Sequence, residues 1–254
     1  MSFRERIREV LEERETNLIL ALDVYGESPS EILNRCIDLL RKTQRFICAV
    51  KINLQVLLPL GLFDGIRGLI KEAKNYGLPL IMDLKLNDVG HTNLQVSTYI
   101  FEAGFDALIA NPFVGWEGGL KPVFEKARSM GRGVILLVYM SHPGAVEGYG
   151  QIVRDPEDGR AYPQYMVFAR KALRWRADGV IVGATRPEKI VDVKKILRDE
   201  VPIYSPGIGP QGGDPIKAMT SGASYLIVGR TITQSSKPTD EAKKLRDLIR
   251  PYIT

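Results

Sequence analysis

Short apolar runs alternate with amphipathic stretches along almost the whole chain. The runs are Asn17–Asp23, Phe46–Lys51, Leu78–Lys85, Phe105–Asn111, Gly133–Val138, Asp178–Gly183, Val201–Ser205 and Ser224–Arg230. They are continuously apolar rather than alternating, which fits strands covered on both faces in a parallel sheet. Between them, apolar residues recur at helical spacing over Ser28–Arg41, Leu62–Tyr76, Asn93–Ala103, Gly119–Met130 and Tyr162–Arg176, and Asp240–Ile249 closes the chain. Ser28 followed by Pro29 predicts a capped helix start. Thr185-Arg-Pro-Glu188 predicts a capping box, and Asp214-Pro215 opens another helix. Phe3, Ile7, Val10 and Leu11 predict a short amphipathic helix before the first strand, closing one end of the domain.

Eight strand-then-helix units over about 230 residues match the count and size of a single-domain (β/α)8 TIM barrel with an extra N-terminal helix. A doubly wound open sheet is the alternative. It lacks support because Asp23-Val-Tyr-Gly26, after the first strand, is no glycine-rich dinucleotide turn. No linker or composition break divides residues 1–254, so one domain is expected. The longest irregular stretch is Ser141–Arg160, and a loop of that length in a compact barrel is usually functional or mobile.

Composition narrows the classes. Lysine and arginine exceed aspartate and glutamate by 35 to 30, a net charge of +5. The surplus is scattered, which suits an anionic small molecule better than a nucleic acid. Cys36 and Cys48 match no zinc spacing and are expected as buried thiols in a reducing compartment. Met1–Glu15 is highly charged with no apolar secretory core. No run of about 18 apolar residues is present to span a membrane. A soluble cytoplasmic protein is the expectation.

The candidate chemistry begins at Ile81–Thr92, where Asp83, Lys85 and Asp88 stand at the end of a buried run. Charges there are costly unless paired, so they form a structural ion pair or a site. In a barrel, chemistry gathers at the C-terminal strand ends. Asp23, Lys51, Asp83, Lys85, Ser141 and Arg230 all stand there. Residues two apart on a strand share a face, so Asp83 and Lys85 are expected on one face, as are Asp23 with Ala21 and Lys51 with Ala49. Two acids and two lysines from three adjacent strands predict an alternating charge network, each acid with a lysine neighbour. Four glycines in Ser205–Asp214 leave backbone N–H groups open to a ligand. With Arg230 in the next loop, that segment predicts phosphate binding. His91 and His142 lie outside the strands, and a lysine stands where a cation would, so no metal site is expected.

These residues resemble the orotidine 5′-phosphate decarboxylase family. The resemblance runs from Ala21-Leu-Asp23 to Gly229-Arg230. It rests on Ala49-Val-Lys51, Asp83-Leu-Lys85-Leu-Asn-Asp88-Val-Gly-His-Thr92, Met140-Ser-His-Pro-Gly-Ala145, Ser205–Pro215 and Ile227-Val-Gly-Arg230. It implies decarboxylation of orotidine monophosphate to uridine monophosphate, the last step of de novo pyrimidine nucleotide synthesis, without cofactor or metal. By that resemblance Lys85 protonates C6, Asp83 lies beside the departing carboxylate, and Lys51 and Asp23 complete the network and contact the ribose. Ser141 contacts the pyrimidine, Gln211 and Arg230 hold the phosphate, and Pro206 and Gly229 join the binding set. Asp88 and Thr92 are donated into the partner's site of a homodimer. Val146–Tyr162 matches no motif of the family, and Tyr25 and Asn53 flank motifs without a role. A rival is a metal-dependent sugar-phosphate decarboxylase or aldol synthase, which shares Asp83, Lys85 and Asp88 but carries an acid at the position of Lys51. A non-catalytic phosphate-binding barrel is a further rival, and it would have no need of Lys85 beside an acid.

Overall fold

The computed structural model describes residues 1–253. Eight parallel strands close into a barrel. They are β1 (Leu18–Ala21), β2 (Ala49–Asn53), β3 (Leu80–Leu86), β4 (Ala107–Ala110), β5 (Gly133–Tyr139), β8 (Gly179–Val182), β9 (Ile203–Pro206) and β10 (Tyr225–Val228). β6 (Ile152–Arg154) and β7 (Ala161–Pro163) form a separate antiparallel hairpin. Around the barrel run α1 (Phe3–Arg14), α2 (Pro29–Thr43), α3 (Leu54–Leu60), α4 (Ile66–Asn75), α5 (Gly90–Ala103), α6 (Lys121–Ser129) and α7 (Ala145–Tyr149). They are followed by α8 (Gln164–Arg174), α9 (Pro187–Leu197), α10 (Pro215–Thr220), α11 (Arg230–Thr233) and α12 (Pro238–Ile249). Every residue of β1, β4, β5, β8 and β10 is buried, which is why their sequences are apolar on both faces.

Local signals set the starts of several helices. Ser28 accepts from the Glu31 backbone N–H with Pro29 in the first turn of α2. Ser2 and Glu5 form a reciprocal capping box on α1. That helix closes the N-terminal end of the barrel as expected. A Cβ on Gly133 would lie 2.4 Å from the Phe3 ring, so only glycine admits this plug. Cys36 and Cys48 are buried, unlinked thiols, and burial pushes the Cys36 thiol up to about 12. Among the described residues no helix is long and apolar enough to cross a membrane.

The structure corrects three local expectations. The helix expected from Leu62 is preceded by α3, which starts directly after β2 because Asn53 Oδ1 accepts from the Gln55 backbone N–H at 3.1 Å. Pro59, which lacks a donor, and Gly61, at φ 72°, end it. Ser141–Arg160 is not irregular throughout: it contains α7, β6 and the turn that leads into β7. Strands of three residues carry too little periodicity to show in the sequence. Their anchor is Asp155, wholly buried, whose Oδ2 pairs with Arg170 Nη1 at 3.0 Å. The capping box at Thr185 does not form. Arg186 occupies the cap position without a side-chain bond, and Thr185 Oγ1 donates to the Ser141 carbonyl at 2.8 Å.

Candidate active site

A cavity of about 380 Å³ opens at the C-terminal ends of the strands. It brings together Asp23, Lys51, Asp83, Lys85, Ser141, Pro206, Gln211, Gly229 and Arg230. Asp88 and Thr92 do not line it. Asp88 is exposed, in the turn before α5, and its Oδ1 accepts from the Val89 backbone N–H at 2.7 Å. A larger cavity of about 900 Å³ lies at the opposite end, against α1. Its charges are largely neutralised in pairs, Arg8–Glu12, Arg250–Glu15 and Lys194–Asp199, so it gathers no comparable chemistry.

Asp83 is the hub. Its Oδ2 accepts from Lys51 Nζ at 2.9 Å and its Oδ1 from Lys85 Nζ at 2.8 Å. Burial favours the neutral acid, but the two ammonium groups and their hydrogen bonds outweigh it and hold the carboxyl below its usual range. Burial likewise favours neutral Lys51, yet Asp83 and Asp23 raise its pKa. Lys51 and Asp83 side chains are only 8% and 10% exposed, while Lys85 is 42% exposed. The buried pair thus fixes Asp83, and the second ammonium stays open to the cavity.

Strand alternation alone does not put Lys85 there. Its backbone is left-handed, φ 49°, and the β3–β4 register shifts between Asp83 and Leu86. This bulge turns Lys85 back onto Asp83. A non-glycine residue at positive φ is uncommon, and such strain gathers at functional sites.

The alternating network is corrected at Asp23. Its hydrogen-bond partner is Asn53 Nδ2, at 2.7 Å, and neither lysine pairs with it within ion-pair distance. The register explains this. Asn53 stands opposite Asp83, one layer above Lys51, which stands opposite Ala21 and Ile81. Gly229 packs against Asp23: a Cβ there would meet Asp23 Oδ2 at 2.6 Å. Across the cavity Ser141 Oγ donates to Gln211 Oε1 at 2.7 Å, tying the loop after β5 to the glycine-rich loop after β9. Arg230 opens α11 at the rim and has no ion-pair partner among the described residues. Asn53, Gln55, Tyr25 and His142 also line the cavity; sequence reasoning gave the first three no role and expected His142 to order the loop around Ser141. Asn53 and Gln55 could have been found from their places two and four after Lys51, at the strand-to-helix junction. Among the described residues no three His, Cys, Asp or Glu side chains are grouped to hold a metal ion.

The model of the orotidine 5′-phosphate decarboxylase / HUMPS family matches residues 16–245. The orotidine 5′-phosphate decarboxylase of Thermococcus kodakarensis is 36% identical over 92% of this chain and 97% of its own. That of Pyrococcus furiosus is 32% identical over 92% of this chain and 98% of its own. Among solved structures, the orotidine 5′-monophosphate decarboxylase of Methanocaldococcus jannaschii complexed with the inhibitor BMP covers 92% of this chain and 98% of its own, with 28% identity and a TM-score of 0.77. The chain belongs to the orotidine 5′-phosphate decarboxylase / HUMPS family.

Proposed function

We propose that this chain decarboxylates orotidine 5′-monophosphate to uridine 5′-monophosphate, closing pyrimidine nucleotide synthesis, as one barrel domain without cofactor or metal. The observation that carries the reading is Asp83 held between two ammonium groups, with Lys85 left open to the cavity.

In this reading the substrate's carboxylate sits beside Asp83 and its C6 beside Lys85 Nζ. The C6–carboxylate bond breaks, carbon dioxide leaves, and the electron pair stays on C6. A fixed ammonium stabilises that charge as it develops, with no reorganisation at the moment of reaction. Lys85 then gives C6 its proton. Asp23 and Lys51 face the ribose, and Ser141 the pyrimidine. Pro206, Gln211, Gly229 and Arg230 bound the phosphate, whose binding energy is remote from the breaking bond and can align the site.

We assign Asp88 and Thr92 to the partner's site in a homodimer. Asp88 lies outside its own cavity. Its chain neighbour Val89 is 55% exposed, and Leu58, on α3, is 74% exposed. Exposed apolar side chains of this size are consistent with an interface. A cytoplasmic location belongs to the same reading. The test is ultraviolet absorbance of orotidine monophosphate mixed with the protein, with and without excess EDTA. Conversion in both supports the reading. Loss on chelation, with recovery on adding magnesium, moves the chain to the metal-dependent rival.

A further inference from the structure

Gln55 lines the cavity from α3, the helix that also carries the exposed Leu54 and Leu58. It lies in the first turn of α3, with its backbone N–H fixed on Asn53 Oδ1. Its side chain lines the cavity, yet its Nε2 is buried with no hydrogen-bond partner among the described residues. Buried amides are normally paired. Its neighbours on the helix, Leu54 and Leu58, are exposed.

The segment carrying Asp88 has matching properties. Asn93 pins the turn by accepting from the Asp88 backbone N–H at 3.1 Å. The Asp88 carboxylate takes the Val89 N–H on one oxygen, and no other hydrogen bond or ion pair reaches it among the described residues. Val89 and Leu94 flank it as exposed apolar side chains. One segment thus offers an unpaired donor between leucines, and the other an unpaired acceptor between apolar side chains.

We infer that Gln55 is the docking point for the partner subunit's Asp88. This inference rests on the homodimer of the proposed function. A twofold interface is self-complementary, so α3 of each subunit receives the other's Asp88 segment, and the contact occurs twice. An amide turns about its last bond at little cost, which lets its N–H swing onto the arriving carboxylate. Gln55 is a positioning residue: it touches the partner's acid, and through it sets where that acid meets substrate.

The experiment exchanges the two groups. Gln55→Glu is isosteric and sets carboxylate against carboxylate. Gln55→Met removes the donor and adds no charge. Dimer dissociation of each, of Asp88→Asn, and of Gln55→Glu with Asp88→Asn is measured by sedimentation over a dilution series. Each single variant is expected to weaken the dimer at least about tenfold. The double variant restores an amide facing a carboxylate and is expected within about threefold of the wild type. Gln55→Glu alone should regain affinity as the pH falls and the new acid is neutralised. A double variant as weak as Gln55→Glu, or a Gln55→Met dimer as tight as the wild type, overturns the inference. A monomeric wild type overturns the homodimer reading itself.

Discussion

Lys51 Nζ, from β2, lies 2.9 Å from Asp83 Oδ2, on β3, and both side chains are almost wholly buried. Taking both charges out of water is repaid only by good geometry and further hydrogen bonds. The second hydrogen bond comes from Lys85, so the carboxylate is held from both sides before any substrate arrives.

That relationship predicts a pH dependence of stability. Asp83 is held below the ordinary carboxylate value by its two lysines, so its share of stability is present above about pH 4 and is lost as the pH falls through its own, lower value. Lys51 is held above the ordinary ammonium value, so its share is present below about pH 10 and is lost as the pH rises through its own, higher value. Asp83→Asn should cost about 3 kcal/mol, as breaking a buried pair does, and the deficit should be constant between those limits. Urea denaturation over a pH series checks this. A deficit that changes between pH 6 and pH 8 contradicts it.

Arg230 is expected to grip phosphate and do no chemistry. Arg230→Ala should cost about 2–3 kcal/mol in kcat/KM with the nucleotide, the worth of charge-assisted hydrogen bonds. It should cost far less with the nucleoside that lacks the phosphate. Steady-state kinetics on both substrates decide it, and equal losses would place Arg230 elsewhere.

Most of the barrel was legible because strands covered on both faces must be largely apolar, and the eight barrel runs are, their charged residues standing mainly at the ends. Lys51 and Asp83 were legible because strand alternation carries them to one place. Lys85 was assigned to the right face for an incomplete reason, since a bulge and a left-handed backbone bring it there. The partner of Asp23 was misjudged because barrel register, which no short segment displays, sets Asn53 beside it. Hydrogen bonds between distant loops leave no local mark: Ser141 and Gln211 are 70 residues apart. Thr185 looked like a helix cap from its neighbours and instead bonds the Ser141 carbonyl.

Sharing of Asp88 between subunits predicts recovery from two dead proteins. Lys85→Ala and Asp88→Ala should each be inactive alone. After subunit exchange, one site of a mixed dimer holds both lesions and the other holds neither. Random pairing makes about half the dimers mixed, so roughly a quarter of all sites should be intact. Mass spectrometry that shows exchange, with no activity regained, would mean that Asp88 serves its own chain.

The central claim is that Lys85 protonates the carbon that loses carbon dioxide. Its most direct measurement is the absorbance of orotidine monophosphate with the wild type and with Lys85→Ala, with the product identified by mass. The wild type should yield uridine monophosphate, and in deuterated water the product should carry one deuterium at C6. Lys85→Ala should be slower by at least ~10³-fold, the combined loss of the acid and the fixed charge. A Lys85→Ala protein within tenfold of the wild type would contradict the account.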